Sequence, residues 1–213
     1  MIALIDYKAG NLTSVRKALA AVGADLFTPE TPADLGRARG VIVPGVGHFQ
    51  ATLALDPDWV ETIRGLVADG CPLFGICLGM QWLFEASDEA PDVPGLGVMS
   101  GRCYRLGTAG FREETTDLGS GTHSPVKVPH VGWNTLERRS DGGILEHVPD
   151  HSQVYFTHSY VAPITEDTVA ATEHGEPFAS VVERGHIAGV QFHPEKSGNV
   201  GLQILRNFVR RAT

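Results

Sequence analysis

Through its first 86 residues the chain alternates short, continuously apolar runs with stretches of helical periodicity. Few architectures fit that alternation. A strand that is apolar at every position must be covered on both faces, and strands separated by helices pair in parallel. The spacing predicts strands at residues 2–5, 24–28, 40–43 and 72–76. Leu12, Val15, Leu19 and Val22 share one helical face, and Gly23 ends that run. Further helices are predicted at 59–69 and 78–86. The fold class read from this pattern is α/β, with a mostly parallel central sheet flanked by helices.

The second half is less regular. Residues 87–125 are rich in Gly, Pro, Ser and Thr, with acidic Glu113, Glu114 and Asp117 among them. Short strands are expected around residues 103–106 and Val126. Apolar runs at 154–157, 169–172, 178–182 and 187–192 follow without long helices between them, so additional antiparallel strands are expected. A last helix is predicted over 200–210, with Val200, Ile204, Leu205, Phe208 and Val209 inward. The chain contains no repeat, low-complexity tail or obvious linker, and residues 1–213 are read as one domain.

Composition narrows the function classes. The net charge of −8 disfavours nucleic acid and anionic lipid as partners. No apolar run approaches the roughly 20 residues of a membrane span. The first residues, Met1-Ile-Ala-Leu-Ile-Asp6, lack the basic start of a signal peptide and read as a strand. Cys71, Cys77 and Cys103 are an odd set without metal-ligand spacing, which points to a reducing, cytoplasmic setting. The sequon at Asn11-Leu-Thr13 carries little weight without a secretory signal. No metal or organic cofactor is expected.

Two separate segments supply chemistry. Gly75-Ile-Cys77-Leu-Gly79 lies between a predicted strand and a predicted helix. A thiol at such an elbow sits at the positive end of the helix, which favours thiolate. The turn projects it from the carboxyl edge of the sheet. The N–H of the next residue, Leu78, points at a developing oxyanion. Flanking glycines suit a crowded turn. A lone cysteine is more often structural, and Cys71 and Cys103, which lack this context, are read that way.

Phe192-His193-Pro-Glu195 closes another predicted strand. On an extended segment His193 and Glu195 face the same side, so the carboxylate would orient the imidazole and leave its other nitrogen for Cys77. Thiol, imidazole and carboxylate are the groups needed to break an amide through a thioester. Seven other histidines outside this segment and outside His158 share no spacing and read as surface or turn residues. Pro44-Gly-Val-Gly47 follows a strand but lacks a third glycine for dinucleotide binding. Its amides, Gly47 among them, suit a second oxyanion donor.

With these residues in view, the chain resembles the triad (class I) glutamine amidotransferases from residue 5 to its last helix. Four stretches narrow the resemblance: Asp6-Tyr-Lys-Ala-Gly-Asn-Leu-Thr-Ser-Val15, Val128-Pro-His-Val-Gly-Trp-Asn134, His158-Ser-Tyr160 and Gln191-Phe-His-Pro-Glu-Lys-Ser197. They look like the glutaminase subunits of imidazole glycerol phosphate synthases. The resemblance implies a flavodoxin-like sheet and a Cys77, His193, Glu195 triad. It implies an oxyanion hole at Gly47 and Leu78, and glutamine contacts at Gln81, Tyr155, His158 and Ser159. It also implies a heterodimer with a (β/α)8-barrel cyclase that receives the ammonia, with Trp133, Asn134 and Lys196 at the interface. Lys8 and His48 depart from the pattern, which more often has a glycine and a small residue there. The rival readings are an amidotransferase subunit serving anthranilate or aminodeoxychorismate synthesis, a partner-independent cysteine or γ-glutamyl hydrolase, and a non-catalytic module.

Overall fold

In the computed structural model, which describes residues 1–10, 12–107 and 127–212, the apolar runs of the first half become strands of one sheet. The expected acidic stretch at Glu113, Glu114 and Asp117, the strand near Val126, and Asn11 lie outside the described residues. Strand β1 (Ile2–Leu4) leads to helix α1 (Leu12–Ala21), then β2 (Leu26–Phe27) and β3 (Val41–Gly45). Helix α2 (Pro57–Ala68), β4 (Leu73–Cys77) and α3 (Leu78–Leu83) follow. After β5 (Ala86–Ser87) and β6 (Arg102–Arg105) come β7 (His130–Thr135), β8 (Glu137–Arg138), β9 (Gln153–His158) and β10 (Tyr160–Val161). The chain ends with β11 (Thr168–Glu173), β12 (Pro177–Arg184), β13 (Ile187–Val190) and α4 (Gly198–Arg211).

The main sheet has the order β2-β1-β3-β4-β13-β12-β11-β8. Its pairings are parallel from β2 to β13 and antiparallel from β13 to β8. Counting only the parallel strands, the order is that of a flavodoxin-like sheet, whose ligands gather at the carboxyl ends of the strands. The class expected from the alternating pattern is therefore the class observed.

The strand chemistry explains the layering. Every residue of β1, β4 and β13 is buried, because helices cover both faces. Successive side chains point to opposite faces: Ile2, Leu4, Ile42, Phe74 and Ile76 join Val15, Leu19, Ile204 and Phe208 on one side. Ala3, Ile5, Val41, Val43 and Leu73 join Ile63, Trp82 and Leu83 on the other. Phe74 and Phe208 stack with centroids 5.1 Å apart, which pins α4 to β4.

Several sequence expectations change in detail: the helix expected at 78–86 ends at Leu83, and Ala86 opens β5. The second strand is only two residues long, Leu26–Phe27, although the Asp25 carbonyl still accepts from the Ile2 N–H (2.7 Å). Strands β7 and β8 were not expected. Strand β7 pairs with β9 in a separate two-stranded ribbon, while β5, β6 and β10 form another small sheet. Finally, residues 194–196 form a 3-10 turn rather than an extended strand end.

Candidate active site

Cys77 ends β4 and Leu78 opens α3, so the thiol stands on a strand-to-helix elbow. Its backbone has φ 53° and ψ −107°, a region that residues with a Cβ rarely adopt. Such strain persists only where the surroundings enforce it. They do so here: an added Cβ on Gly79 would lie 1.7 Å from the Val43 carbonyl oxygen, and one on Gly75 would lie 2.6 Å from the Gly79 oxygen. These two glycines let α3 pack directly against β3 and β4.

His193 follows β13, which pairs with β4 in parallel, so the imidazole reaches the same edge of the sheet. The 3-10 turn after it carries Glu195 back. His193 Nδ1 lies 2.9 Å from Glu195 Oε1, and both side chains are almost fully buried. The pairing expected from an extended segment thus forms through a turn. Two further bonds fix this turn: the His193 N–H donates to the Tyr155 carbonyl (2.9 Å), and the Ser197 hydroxyl donates to the His193 carbonyl (2.7 Å).

His193 Nε2 is buried without a hydrogen-bond partner among the described residues. Burial opposes charge on the ring, but the neighbouring Cys77 thiol and Glu195 carboxylate outweigh it and push its pKa up to about 10. Burial also pushes the Tyr7 phenol up, with the charge of Cys77 adding to the effect.

In front of the thiol lies a cavity of about 270 Å³ lined by Gly47, Cys77, Leu78, Gln81, Glu89, Pro129, Thr157, His158, Ser159 and Tyr160. Gly47, Gln81, His158 and Ser159 therefore meet at this cavity. Tyr155 does not line it. Its ring packs edge-on against Trp133 (centroids 6.0 Å apart) and lies under the Lys196 ammonium (5.6 Å). Along β9 it alternates with the buried Val154 and Phe156, which turns it to the outer face of the ribbon.

Asn134 is also engaged inside the fold. Its amide donates to the Glu173 carbonyl (2.9 Å) and lies 3.2 Å from His130 Nε2. Trp133, by contrast, is 55% exposed, with Val131 beside it at 57%.

The backbone near Gly47 bears on oxyanion binding. Val46 N–H donates to the Ala9 carbonyl (3.1 Å), so it is turned away from the thiol. Gly47 has φ 104° and no partner for its N–H among the described residues. Leu78, at the first position of α3, has no intrahelical acceptor for its own N–H. His48 does not enter the cavity. Its Nδ1 accepts from the Gln50 N–H (3.1 Å) and caps the 3-10 turn Phe49–Ala54. Lys8 has φ 63°, the backbone form that favours the glycine more usual at this position, and pairs with Asp6 at 2.8 Å.

Glu89 was missed from sequence. One of its oxygens accepts from the Phe49 N–H (2.7 Å), and the other has no partner among the described residues. Nothing in its local sequence marks it, since only the chain path brings it beside Gly47. His130, read as a surface residue, is buried. It stacks on Phe156 (4.7 Å) and His174 (4.1 Å), and its Nδ1 lies 3.2 Å from His158 Nε2. Among the described residues, no group of three or more His, Cys, Asp or Glu side chains is placed to hold a metal ion. Nor is any helix long and apolar enough to cross a membrane.

Comparison with known proteins agrees with this geometry. The family model "Glutamine amidotransferase class-I" matches residues 3–212. A protein of Geobacillus kaustophilus named imidazole glycerol phosphate synthase subunit HisH is 43% identical, covering 100% of this chain and 98% of that one. The protein of the same name from Methanothermobacter thermautotrophicus is 40% identical over 98% of both chains. A crystal structure of a glutamine amidotransferase superposes with a TM-score of 0.73 at 19% identity, covering 100% of this chain and 99% of that one. That last likeness concerns the fold alone. The strained elbow, the buried His-Glu pair and a family match over nearly the whole length lead to one conclusion: the chain belongs to the class-I glutamine amidotransferases.

Proposed function

We propose that this chain is the glutaminase subunit of an imidazole glycerol phosphate synthase. It would hydrolyse L-glutamine to glutamate and pass the ammonia to a (β/α)8-barrel cyclase subunit in a heterodimer. The cyclase would use it to form imidazole glycerol phosphate and an aminoimidazole carboxamide ribotide, in histidine biosynthesis. The observation that carries the reading is the meeting of a strained Cys77, which lines a cavity of amino-acid size, with a buried His193–Glu195 pair. The full-length likeness to relatives of that name supplies the pathway.

The Cys77 sulfur attacks the carbonyl carbon of the glutamine side chain, and the tetrahedral oxyanion forms against the N–H groups of Leu78 and Gly47. His193, which holds its proton past neutrality, gives it to the departing amine. Ammonia leaves and a glutamyl thioester remains. His193 then takes a proton from water, hydroxide attacks the thioester, and glutamate departs with the thiol restored. Glu195 holds the ring throughout. Gln81, His158 and Ser159 line the glutamine cavity, and the free oxygen of Glu89 offers an anionic end for an ammonium group.

Because the Val46 N–H faces Ala9, the oxyanion hole has one fewer donor than a flipped peptide would give it. Glycines on both sides permit that flip. We read this as a gate that opens when the partner holds its nucleotide. The exposed Trp133 and Lys196, with Asn134 bracing β7 behind them, form the proposed partner face. Three free cysteines fit a reducing cytoplasm.

The test is glutamate formation from glutamine by the chain alone, then with the barrel cyclase and its nucleotide. A large rise on adding both is expected. Equal activity in both conditions would leave a glutaminase without the gate. No activity in either, with the chain folded, would sink the assignment.

A further inference from the structure

We propose that Gln191 is a further catalytic residue, whose side-chain amide donates to the Cys77 sulfur in an orientation that Gln81 imposes. The inference rests on the reading of Cys77 as the nucleophile. Gln191 directly follows β13, and the parallel register that pairs Val190 with Ile76 brings it level with Cys77. It is fully buried, and its backbone N–H donates to the Ser180 carbonyl at 2.9 Å.

A chain of donors and acceptors fixes which end of each amide points where. The Tyr160 carbonyl can only accept, so the Gln81 group 2.9 Å from it is the NH2. The second hydrogen of that NH2 meets the Gln191 side chain at 3.2 Å, so Gln191 must present Oε1 to it. The Gln191 NH2 is then left facing Cys77, with Nε2 3.7 Å from Sγ.

A donor held against sulfur favours the charged form over the neutral one, and does so more strongly where water is excluded. Among the described residues His193 and Tyr7 are in electrostatic contact with the thiol and Glu89 lines the same cavity, and none of the three belongs to this relay.

The relay changes the role of Gln81 as well. Both of its N–H bonds are engaged within the protein, and its Oε1 has no partner among the described residues. It can therefore meet a ligand only as an acceptor, which suits the N–H groups of a primary amide or an ammonium.

The test is the pH dependence of Cys77 alkylation by iodoacetamide in the full chain, with peptide mapping to separate Cys77 from Cys71 and Cys103. For Gln191→Leu the profile should move about one pH unit upward, giving roughly tenfold slower alkylation near neutrality. Gln191→Glu, nearly the same shape, sets a carboxylate against the sulfur and should move it further. Should the Leu variant fail to fold, the Glu variant alone decides. Unchanged profiles in the folded variants would overturn the proposal. Alkylation needs neither glutamine nor partner, so a wild-type chain without glutaminase activity would refute the proposed function while leaving this readout intact.

Discussion

At the scale of single residues, the strain at Cys77 makes a prediction that separates chemistry from stability. Replacing the thiol by Ala or Gly should abolish glutamine hydrolysis in both cases. The stabilities should differ, because φ 53° with ψ −107° suits glycine and strains alanine. Glycine normally costs about 0.5–1 kcal/mol relative to alanine within regular elements. Here the order should invert, with Cys77→Gly about 1 kcal/mol more stable than Cys77→Ala in urea unfolding. An Ala variant at least as stable as the Gly variant would mean that the elbow is unstrained.

Glu195 carries a second prediction. Part of the rise of His193 to a pKa of about 10 comes from this carboxylate. Glu195→Gln should move the alkaline limb of the hydrolysis profile to lower pH and cut kcat by about tenfold or more. The linkage sign follows from the same shift. A raised histidine contributes stability that is fully present below about pH 6.5 and is lost as pH rises through 10. An alkaline limb that stays in place in the Gln variant would show that Glu195 does not act on the ring.

At the scale of elements, packing contacts decide which glycines matter. Gly79→Ala drives a Cβ into the Val43 carbonyl and should destabilise the fold by about 3 kcal/mol or more. Gly65, exposed in α2 with open space where a Cβ would go, should behave oppositely, and Gly65→Ala should add about 0.5–1 kcal/mol. Thermal unfolding of both variants checks the pair. The buried histidines on β7 and β9 make a pH prediction. Burial pushes His130 down to about 4, and burial together with His130 lowers His158 as well. The unfolded chain takes up these protons near pH 6.5 while the folded ribbon refuses them. For His130 the stability present above pH 6.5 should therefore fall by about 3 kcal/mol towards pH 4. Imidazole NMR signals of both rings should not titrate between pH 7 and 5, and a midpoint near 6.5 would contradict the burial argument.

The same elements mark what a sequence can and cannot disclose. The parallel half was legible, because strands buried on both faces must be apolar at every position, as in β1, β4 and β13. The β7–β9 ribbon was not: β7 alternates His130, Val131, Gly132, Trp133, and its buried positions are polar or small. Its histidines are buried by stacking on aromatic rings from other strands, which no local pattern encodes. The His193–Glu195 pair was anticipated through an extended geometry and instead forms through a 3-10 turn, since either path can bring two side chains two residues apart together. Glu89 escaped notice, and Gln191, quoted within its stretch, received no role of its own, because their partners lie far along the chain.

At the scale of the whole molecule, the ribbon links the proposed partner face to the triad. Trp133, Tyr155 and Lys196 lie on its outer side, while the Tyr155 carbonyl accepts from the His193 N–H and the Tyr155 N–H donates to the Ser197 hydroxyl (3.0 Å). Two hydrogen bonds, one backbone to backbone and one to the Ser197 hydroxyl, thus join the face to the turn carrying His193 and Glu195, so a partner seated on Trp133 and on Lys196, itself part of that turn, would bear on the His193–Glu195 pair. An exposed indole is also the kind of residue that dominates interface energy, with truncations at such anchors costing about 2 kcal/mol or more. Trp133→Ala should therefore weaken cyclase binding by about thirtyfold. Because the ring is more than half exposed, the isolated chain should unfold within about 0.5 kcal/mol of wild type. Basal hydrolysis should be unchanged at saturating glutamine, and partner-stimulated hydrolysis should recover when the cyclase concentration is raised. Recovery would place the indole in binding. A stimulated rate that stays low with the partner saturated would place it instead in the transmission of the signal from the ribbon to His193. Unaltered affinity and unaltered stimulation together would move the partner face elsewhere on the molecule.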